Sequence, residues 1–394
     1  MYRNTYLEIN IDNLKNNVKN ITQYYNNYEY YFGIVKANCY GHGVKEVLNE
    51  LIESGINYLA VSSLEEAIEC REINKDISIL CLEPIKIEYL NICIEKNITI
   101  TLHDYFYAKK IIDTIKMSKK LKIHIKIDSG MNRIGFKNKD EVYEIYKQLK
   151  NNKNLEVEGI YTHFATSGIC DKEWDNQLNN FIKITSKINL NEIKIRHLYK
   201  SASFINHKKL DFANGIRLGI SMYGYYTETD LLKNRFNKIK RYFIKKNISS
   251  VNTELPFKLK PAFKMISEII QVKKVKKGEY VGYNMGYRAK KDEYIGIICT
   301  GYDDGVLRSN KNRLVSINNK KYNLIGDIGM GMCAVLVDEN VKMNDKVILI
   351  GDEIDINYVA EYNKTSIYEI LCNSGKILER KYLKKHKKSR KNNQ

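Results

Sequence analysis

Short apolar runs alternate with amphipathic stretches over the first two-thirds of the chain. The runs are rich in β-branched residues, which is typical of strands buried on both faces of a parallel sheet. The predicted strands are Tyr31–Val35, Tyr58–Val61, Ser78–Leu82, Ile98–Leu102, Lys122–Ile127, Val157–Tyr161, Lys194–Leu198 and Ile216–Ile220. Between them, apolar residues recur at helical spacing, as they do from Val44 to Ile52. Asp12 and Ser63 are predicted to cap two of these helices.

About eight strand-then-helix units fit a (β/α)8 TIM barrel over residues 11–226. A doubly wound open sheet shows the same alternation and is the rival fold. We favour the barrel because the polar residues considered below fall at or just after the ends of several different strands. Barrel enzymes build their sites at those ends, whereas an open sheet concentrates its site at one switch point.

The pattern changes after Tyr226. Residues 227–260 are rich in lysine and lack a clear period, so we interpret them as a basic linker or an inserted lobe. Residues 261–380 predict a second, mainly β domain, joined by residues 1–10, with a basic tail over 381–394. Its predicted strands, with a hairpin turn at Asn318–Asn319, are Ala262–Val272, Tyr294–Thr300, Arg313–Ile317, Tyr322–Ile325, Cys333–Val337 and Lys346–Ile350.

The formal charge of +19 is spread along the chain, and no nucleic-acid recognition motif accompanies it. We therefore expect no nucleic-acid or membrane partner, and we expect the tail to be disordered. The eight cysteines and seven histidines lack the spacing of a disulfide framework or a zinc site, so no metal is expected. The polar start of the chain has no signal-peptide core, which indicates a soluble cytoplasmic protein.

A lysine follows the first predicted barrel strand, within the segment Val35–Gly43 (VKANCYGHG). Partial desolvation at a barrel mouth lowers the pKa of a lysine and suits its amine to imine formation. Taken alone, the pattern also fits a surface lysine in a glycine-rich turn. The segment resembles the pyridoxal-phosphate (PLP) attachment signature of the alanine racemase family, and further motifs match in order from Thr5 to about Arg380.

The resemblance implies a PLP-dependent enzyme that interconverts L- and D-alanine, with a TIM barrel and a β domain. Lys36 would bind PLP covalently and act as one catalytic base. The phosphate contacts that the resemblance implies come from Tyr40, Ser201, Gly219, Ile220 and Tyr368, the last of which would also narrow the pocket. The hydroxyl of Ser201 and the backbone N–H groups of Gly219 and Ile220 suit a dianionic phosphate.

The segment Lys126–Gly135 (KIDSGMNRIG) resembles the family stretch that contacts the phenolic oxygen of PLP. Arg133 would make this contact and would also meet the substrate. Lys126 matches a position that the family often carbamylates. A carbamate is an anion and could pair with Arg133, whereas an unmodified lysine would repel it; the unmodified lysine remains the alternative.

Arg217 matches the residue that faces the pyridine nitrogen of PLP. An arginine does not give up its proton at ordinary pH, so the nitrogen would stay unprotonated and the ring would be a weaker electron sink. That would disfavour side reactions such as transamination. His163, in the segment YTHF, would lie behind the cofactor. We hypothesise that Arg217 and His163 together tune the second catalytic base.

Racemisation removes a proton from one face of Cα and returns one on the other, and two opposed bases are the simpler solution. The segment VGYNMGYRA resembles the family segment that carries the second base, which maps to Tyr287 and not to Tyr283. A phenol with a pKa near 10 needs tuning by its neighbours for this role. Met330 would meet the substrate carboxylate. In the family these residues come from the partner subunit, which implies a homodimer with shared active sites.

Three positions depart from the family pattern: Cys39, Lys200 and Gly331 replace the usual alanine, asparagine and aspartate. They put substrate identity in doubt more than reaction type. The closest alternative is a serine or broad-specificity amino-acid racemase. A decarboxylase of the same domain organisation and a non-catalytic PLP-binding protein are further alternatives, and a nucleic-acid-binding protein is the remote one.

Overall fold

The structure, a computed structural model, describes residues 4–116, 119–167, 172–226, 255, 257–374, 376 and 378–384. Most of the predicted linker and the tail from residue 385 onward lie outside the described residues. The chain divides into two compact units. The barrel unit comprises Lys15–Lys36 and Leu48–Lys260, and the β unit comprises Met1–Leu14, Ala37–Val47 and Pro261–Gln394. Residues 11–14 and 37–47, which the sequence assigned to the barrel, thus group with the β unit.

The strands in chain order are β1 (Tyr6–Asn10), β2 (Tyr30–Ile34), β3 (Tyr58–Val61), β4 (Ser78–Cys81), β5 (Ile98–Leu102), β6 (Leu121–Lys126), β7 (Leu155–Tyr161), β8 (Ile195–Lys200), β9 (Gly215–Leu218), β10 (Phe263–Val275), β11 (Tyr280–Val281), β12 (Tyr287–Arg288), β13 (Glu293–Ile298), β14 (Leu314–Ile317), β15 (Lys320–Ile325), β16 (Cys333–Val337), β17 (Lys346–Ile350) and β18 (Arg380–Leu383). The right-handed α-helices are α1 (Ile11–Tyr24), α2 (Val44–Glu53), α3 (Leu64–Ile73), α4 (Leu90–Glu95), α5 (Tyr105–Thr114), α6 (Lys139–Asn151), α7 (Lys172–Thr185), α8 (Ser201–Asn206), α9 (Ile356–Tyr362) and α10 (Ile367–Ser374).

Strands β2 to β9 form a closed parallel barrel, in which β2 pairs with β9. The TIM barrel is therefore confirmed over the doubly wound sheet, and each observed strand lies within two residues of its prediction. Apolar side chains such as Leu59, Ile79 and Ile123 are fully buried. Their burial explains why the strands appear as short apolar runs in the sequence.

Of the two helix caps predicted from the sequence, one is confirmed and the other is wrong. Ser63 accepts a hydrogen bond from the backbone N–H of Glu66, as predicted. The prediction for Asp12 is wrong, because α1 begins at Ile11, two residues earlier than a cap at Asp12 requires. Asn10 caps the helix instead, since its Oδ1 accepts from the N–H of Asn13 at 2.9 Å. Asp12 lies instead in the first turn, where a negative charge favours the helix dipole.

The β unit contains an eight-stranded sheet in the order β13-β16-β15-β14-β17-β10-β1-β18, with a further pairing between β13 and β10. Asn318 and Asn319 have φ of 50° and 62°, which is the backbone of a type I′ hairpin and confirms the predicted turn. Helices α9 and α10 were not predicted. Residues 381–383, predicted as part of the tail, instead lie in β18, because they pair in parallel with β1.

A left-handed turn follows Lys36 directly. Ala37, Asn38, Cys39 and Tyr40 have φ between 50° and 56°, a region that L-residues disfavour. Local hydrogen bonds hold the turn: the N–H of Gly41 donates to Ala37 O at 2.9 Å, and Asn38 Oδ1 accepts from the N–H of the residue that begins α2 at 2.6 Å. The segment rich in glycine thus folds as a compact turn.

Within the residues that the structure describes, no helix combines the length and the apolar character that crossing a membrane requires.

Candidate active site

Several of the predicted site residues lie at the carboxyl ends of barrel strands. Lys36 is the second residue after β2, Lys126 ends β6, His163 follows β7 by two residues and Arg217 lies in β9. The carboxyl ends of parallel barrel strands meet at one mouth. Lys36 is half-buried, and its amine takes part in no hydrogen bond or ion pair within the described residues.

Arg217 is buried inside the barrel. Its Nη1 donates to His197 Nδ1 at 2.8 Å, and its Nη2 donates to the carbonyl oxygens of Thr162 at 2.7 Å and Leu198 at 3.0 Å. Burial lowers the pKa of Arg217 to about 10, so the side chain stays charged near neutrality. Within the described residues, the histidine that it hydrogen-bonds is His197, so the hypothesised pairing with His163 is not the one observed.

His163 lies in a field of positive charge. Burial, followed by the charges of Arg217, Lys200, Lys126 and Arg133, lowers the pKa of His163 well below its ordinary value. The imidazole is therefore neutral near pH 7. A mouth with this excess of cations fits an anionic ligand, because each added negative charge reduces their mutual repulsion.

Lys126 is buried to 3% exposure at the end of β6. Its Nζ donates to Ile127 O at 3.0 Å and lies 5.1 Å from the centroid of the Tyr161 ring. Burial, followed by the charge of Arg217, lowers the pKa of Lys126 to about 7, although Asp128 acts in the opposite direction. A substantial fraction of this amine is therefore unprotonated, and hence nucleophilic, near neutral pH.

The loop after β6 presents Arg133 to solvent. Asp128 organises the loop, since its Oδ1 accepts from the N–H groups of Gly130 and Asn132, both at 3.0 Å. Gly135 has φ of +127°, and a Cβ there would lie 2.6 Å from the backbone nitrogen of Asp128. The loop can therefore fold back on β6 only with glycine at that position, which explains the spacing of the motif.

A small polar cluster forms at the start of α8. Ser201 Oγ lies 2.9 Å from Ser221 Oγ and accepts from the N–H of Gly219 at 3.0 Å. Lys200 Nζ donates to Phe164 O at 3.0 Å. The structure thus brings Ser201 and Gly219 together, and it adds Ser221, which was not predicted from the sequence. A phosphate bound here would have to compete with Ser201 Oγ for the backbone N–H of Gly219.

In the β unit, Tyr287 is half-buried and its hydroxyl donates to Glu293 Oε2 at 2.6 Å. Burial, followed by this hydrogen bond and the charge of Glu293, raises the pKa of Tyr287 to about 12. A phenol that acts as a base near neutral pH needs a lowered pKa, so this shift has the opposite direction to the one expected. Tyr283, which the sequence analysis set aside, is 72% exposed.

Of the other predicted residues of the β unit, Tyr368 and Met330 are exposed, whereas Tyr40 is buried. The ring centroids of Tyr40 and Tyr368, both predicted phosphate contacts, are 5.8 Å apart. Met330 is 62% exposed, and a Cβ at Gly331 would have no neighbour within 4 Å. The departure at Gly331 therefore leaves open space beside Met330.

His197 could not be predicted as a site residue, because a histidine on a buried strand gives no sign in the sequence of its partner across a barrel. Glu293 could not be predicted for a similar reason, since nothing in the sequence pattern relates this acid to Tyr287.

Comparison with known proteins agrees with this architecture. The alanine racemase N-terminal domain matches residues 9–227, and the alanine racemase C-terminal domain matches residues 262–382. Alanine racemase 1 of Bacillus subtilis is 32% identical over 387 residues, covering 97% of this chain and 94% of the relative. An alanine racemase of Clostridium tetani is 32% identical over 395 residues, covering 97% of this chain and 96% of the relative.

Solved structures give the same result. The alanine racemase from Bacillus anthracis with bound L-Ala-P superposes with a TM-score of 0.86 at 31% identity, covering 98% of this chain and 96% of that chain. The alanine racemase from E. faecalis has a TM-score of 0.87 at 28% identity, covering 97% of this chain and 99% of that chain. A histidine racemase from Leuconostoc mesenteroides, at 22% identity and a TM-score of 0.84, shares the fold.

Proposed function

The chain belongs to the alanine racemase family, and from that premise we propose that it interconverts L- and D-alanine with PLP bound to Lys36. The observation that carries the proposal is the convergence, at one barrel mouth, of a lysine amine that has no partner among the described residues and a buried arginine that is charged near neutral pH. Lys36 follows β2, and Arg217 lies in the adjacent strand β9.

The residues at the mouth fit PLP in three respects. The aldehyde requires an amine without a competing partner, which Lys36 provides within the described residues. The phosphate requires hydroxyl and backbone N–H donors together with positive charge, and Ser201 and Ser221 lie close enough to act as one unit. The guanidinium hydrogen bonds of Arg217 within the described residues use Nη1 and Nη2 only, so Nε remains available to face a ring nitrogen.

Bound PLP supplies an electron sink that makes the Cα proton of an attached amino acid acidic. Lys36 binds the cofactor and, on one face of Cα, accepts or returns the proton at Nζ. Tyr287 performs the complementary transfer on the other face with its phenol oxygen. Arg217 keeps its own proton and so limits how strongly the ring withdraws electrons.

We further propose that Tyr287 and Met330 act in the site of a second copy of the chain, so that the working enzyme is a homodimer with shared active sites. This proposal rests on the family resemblance of their segments. The exposure of Met330 agrees with a role at the edge of a subunit.

Lys126 is proposed to carry a carbamate. Its lowered pKa supports the reaction, because only the neutral amine adds to carbon dioxide. A nitrogen–carbon bond forms, one proton is released, and the side chain becomes an anion. That anion would offset the charges of Arg133 and Arg217, which otherwise repel a protonated Lys126.

Alanine is the proposed substrate, since Tyr368 is positioned against Tyr40 in the β unit and would restrict a larger side chain. One observation favours testing serine as well. Gly331 leaves open space where the family usually has aspartate.

The test is an absorbance spectrum of the purified protein, followed by borohydride reduction and peptide mapping of the labelled lysine. We expect a PLP adduct at Lys36, which Lys36→Arg abolishes and Lys45→Arg, at an exposed residue in the first turn of α2, does not. If no PLP is trapped at Lys36, the proposal fails. Chiral assays on alanine, serine and lysine then establish the substrate.

A further inference from the structure

A line of buried polar side chains crosses the barrel interior from Arg217. We call Arg217, His197, His124 and Glu158 the barrel relay; each is at most 3% exposed. Arg217 Nη1 lies 2.8 Å from His197 Nδ1, His197 Nε2 lies 2.9 Å from His124 Nδ1, and His124 Nε2 lies 3.4 Å from Glu158 Oε2. The last distance is longer than an ideal hydrogen bond, and His124 Nε2 makes no hydrogen bond within the described residues, so its contact with the carboxylate is electrostatic only.

The chemistry of the relay fixes where its protons lie. A guanidinium has no acceptor, so His197 Nδ1 must accept from Arg217. The proton of His197 is then on Nε2 and is donated to Nδ1 of His124. The proton of His124 is therefore also on Nε2, where it faces the carboxylate of Glu158. Every N–H in the relay points in the same direction, away from Arg217.

The barrel has local features that create room for the relay. In β7, Val157 pairs with Ile123 and Gly159 pairs with His124, so Glu158 is the extra residue of a β-bulge. A bulge redirects a side chain that regular alternation would place elsewhere. A Cβ at Gly159 would lie 2.6 Å from ring atoms of His124, so only glycine leaves space for that imidazole.

Aromatic rings hold the first imidazole in place. His197 stacks on Phe32 with centroids 4.4 Å apart and on Tyr161 with centroids 4.6 Å apart, at interplanar angles of 17° and 10°. The ring is therefore sandwiched and cannot turn without disrupting both contacts.

The relay joins two charges that are costly to bury separately. The hydrogen bonds of Arg217 within the described residues go to carbonyl oxygens and to His197, with no carboxylate among them. Glu158 is a buried acid whose Oε2 also accepts from the hydroxyl of Tyr58 at 2.7 Å, and whose Oε1 lies 3.8 Å from the ammonium of the exposed Lys194. An exposed cation is screened by solvent, so this pair contributes little and does not replace a buried partner. Although burial acts to raise it, His124 and Tyr58 hold the pKa of Glu158 at about 2, so the carboxylate is ionised. An unpaired buried charge is strongly destabilising.

We propose that Glu158 is the counter-ion of Arg217, acting through His197 and His124, each held in its Nε2–H tautomer. Glu158 is thereby a positioning residue for the guanidinium at the barrel mouth. The relay is not a proton wire, because it ends on a group that does not release its proton at ordinary pH. Only the link to catalysis rests on the proposed function; the tautomers and the charge pairing do not.

The first experiment reads the tautomers directly, by nitrogen NMR of the 15N-histidine-labelled holoenzyme. We expect a nitrogen–nitrogen coupling across one histidine–histidine hydrogen bond, with protonated Nε2 on His197 and unprotonated Nδ1 on His124. The absence of this coupling, or a proton on His124 Nδ1, would overturn the proposal. This measurement requires no turnover and no variant, so it is decisive even if the racemase assignment fails.

The second experiment is a double-mutant cycle. Glu158→Gln keeps the shape of the side chain and removes its charge, and we expect kcat to fall about tenfold with less than about a threefold change in the KM for alanine, since Glu158 does not touch substrate. In an Arg217→Lys background the same change should lower kcat by less than about threefold, because the group through which Glu158 acts is altered.

Glu156→Gln, two residues earlier on β7, is the control and should leave kcat unchanged. A merely structural role for Glu158 predicts the same loss in both backgrounds, and that additivity would overturn the proposal. If circular dichroism shows that Glu158→Gln does not fold, the tautomers measured in the unmodified holoenzyme decide whether the proposal holds.

Discussion

The hydroxyl of Tyr287 donates a 2.6 Å hydrogen bond to the buried carboxylate of Glu293. Together with burial, that carboxylate raises the pKa of Tyr287 to about 12. The phenol is therefore held in its protonated form, which suits the proposed role of giving a proton to Cα. To accept a proton, Tyr287 must be a phenolate, which nearby cations favour. In the proposed homodimer those cations would be the ones at the barrel mouth of the second copy.

Replacing Glu293 by Gln should change the pH dependence of the reaction. Without the carboxylate the pKa of Tyr287 falls, so at any pH below that pKa a larger fraction is phenolate. In the direction where Tyr287 accepts the proton, the rising limb of kcat/KM against pH should move to lower pH. Profiles measured in both directions of racemisation test this, with the exposed Glu339→Gln as control. A profile that coincides with that of the unmodified protein would show that Glu293 does not tune the base.

Tyr287→Phe should retain PLP and lose most of its racemase activity. Removal of one general acid–base group costs about 10²- to 10⁴-fold in kcat. Exchange of the Cα proton with deuterated solvent should fall more for one enantiomer of alanine than for the other. Tyr283→Phe, at the neighbouring exposed tyrosine, should behave like the unmodified protein. Normal activity of Tyr287→Phe would remove this residue from the mechanism.

Unmodified Lys126 should make stability depend on pH. Its pKa is lowered from 10.5 to about 7 on folding, so between these values the unfolded chain binds a proton that the folded chain does not. Stability should therefore rise with pH in this window, by up to about 1.4 kcal/mol per pH unit, and the slope should vanish below pH 7. Urea unfolding in buffer free of carbon dioxide measures it, and Lys126→Met should lack this contribution.

Added bicarbonate tests the proposed carbamate. With 13C-labelled bicarbonate, a protein-bound carbamate carbon should appear in the unmodified chain and be absent from Lys126→Met. An identical carbon spectrum for the two proteins contradicts the carbamate and leaves the lysine unmodified.

Gly159→Ala should destabilise the barrel by about 1–3 kcal/mol, since the new methyl group overlaps the imidazole of His124 and the core must shift to accept it. The matched control is Gly331→Ala, where a Cβ has no neighbour within 4 Å. Urea midpoints compare the two variants. Equal midpoints would mean that the ring of His124 can move aside at little cost.

The barrel could be predicted because each buried strand is a short apolar run between polar segments. Lys36, Lys126 and Arg217 could be placed at one mouth because parallel strands share a direction. The partner of Arg217 could not be predicted, since contacts across a barrel depend on register. His197 and His163 look alike in sequence.

Bulges limit such predictions further. The alternation of apolar and polar residues is the only sequence signal for the direction of side chains along a strand. It does not reveal the extra residue that the bulge places at Glu158 in β7. The buried relay therefore becomes visible only in three dimensions. The roles of Tyr287 and Met330 depended on resemblance to a family, and the structure adds Glu293 to that account.

In the left-handed turn after Lys36, the usual effects of amino-acid substitutions on stability are reversed. Each of its four L-residues is held where the side chain crowds the backbone, at a cost of roughly 1–2 kcal/mol apiece in regular left-handed structure. Glycine, or a D-amino acid introduced by chemical synthesis, would relieve that crowding at Ala37, whereas valine or isoleucine would increase it. Mirror-image residues are thus expected to be tolerated in the segment that directly follows Lys36, the proposed cofactor lysine.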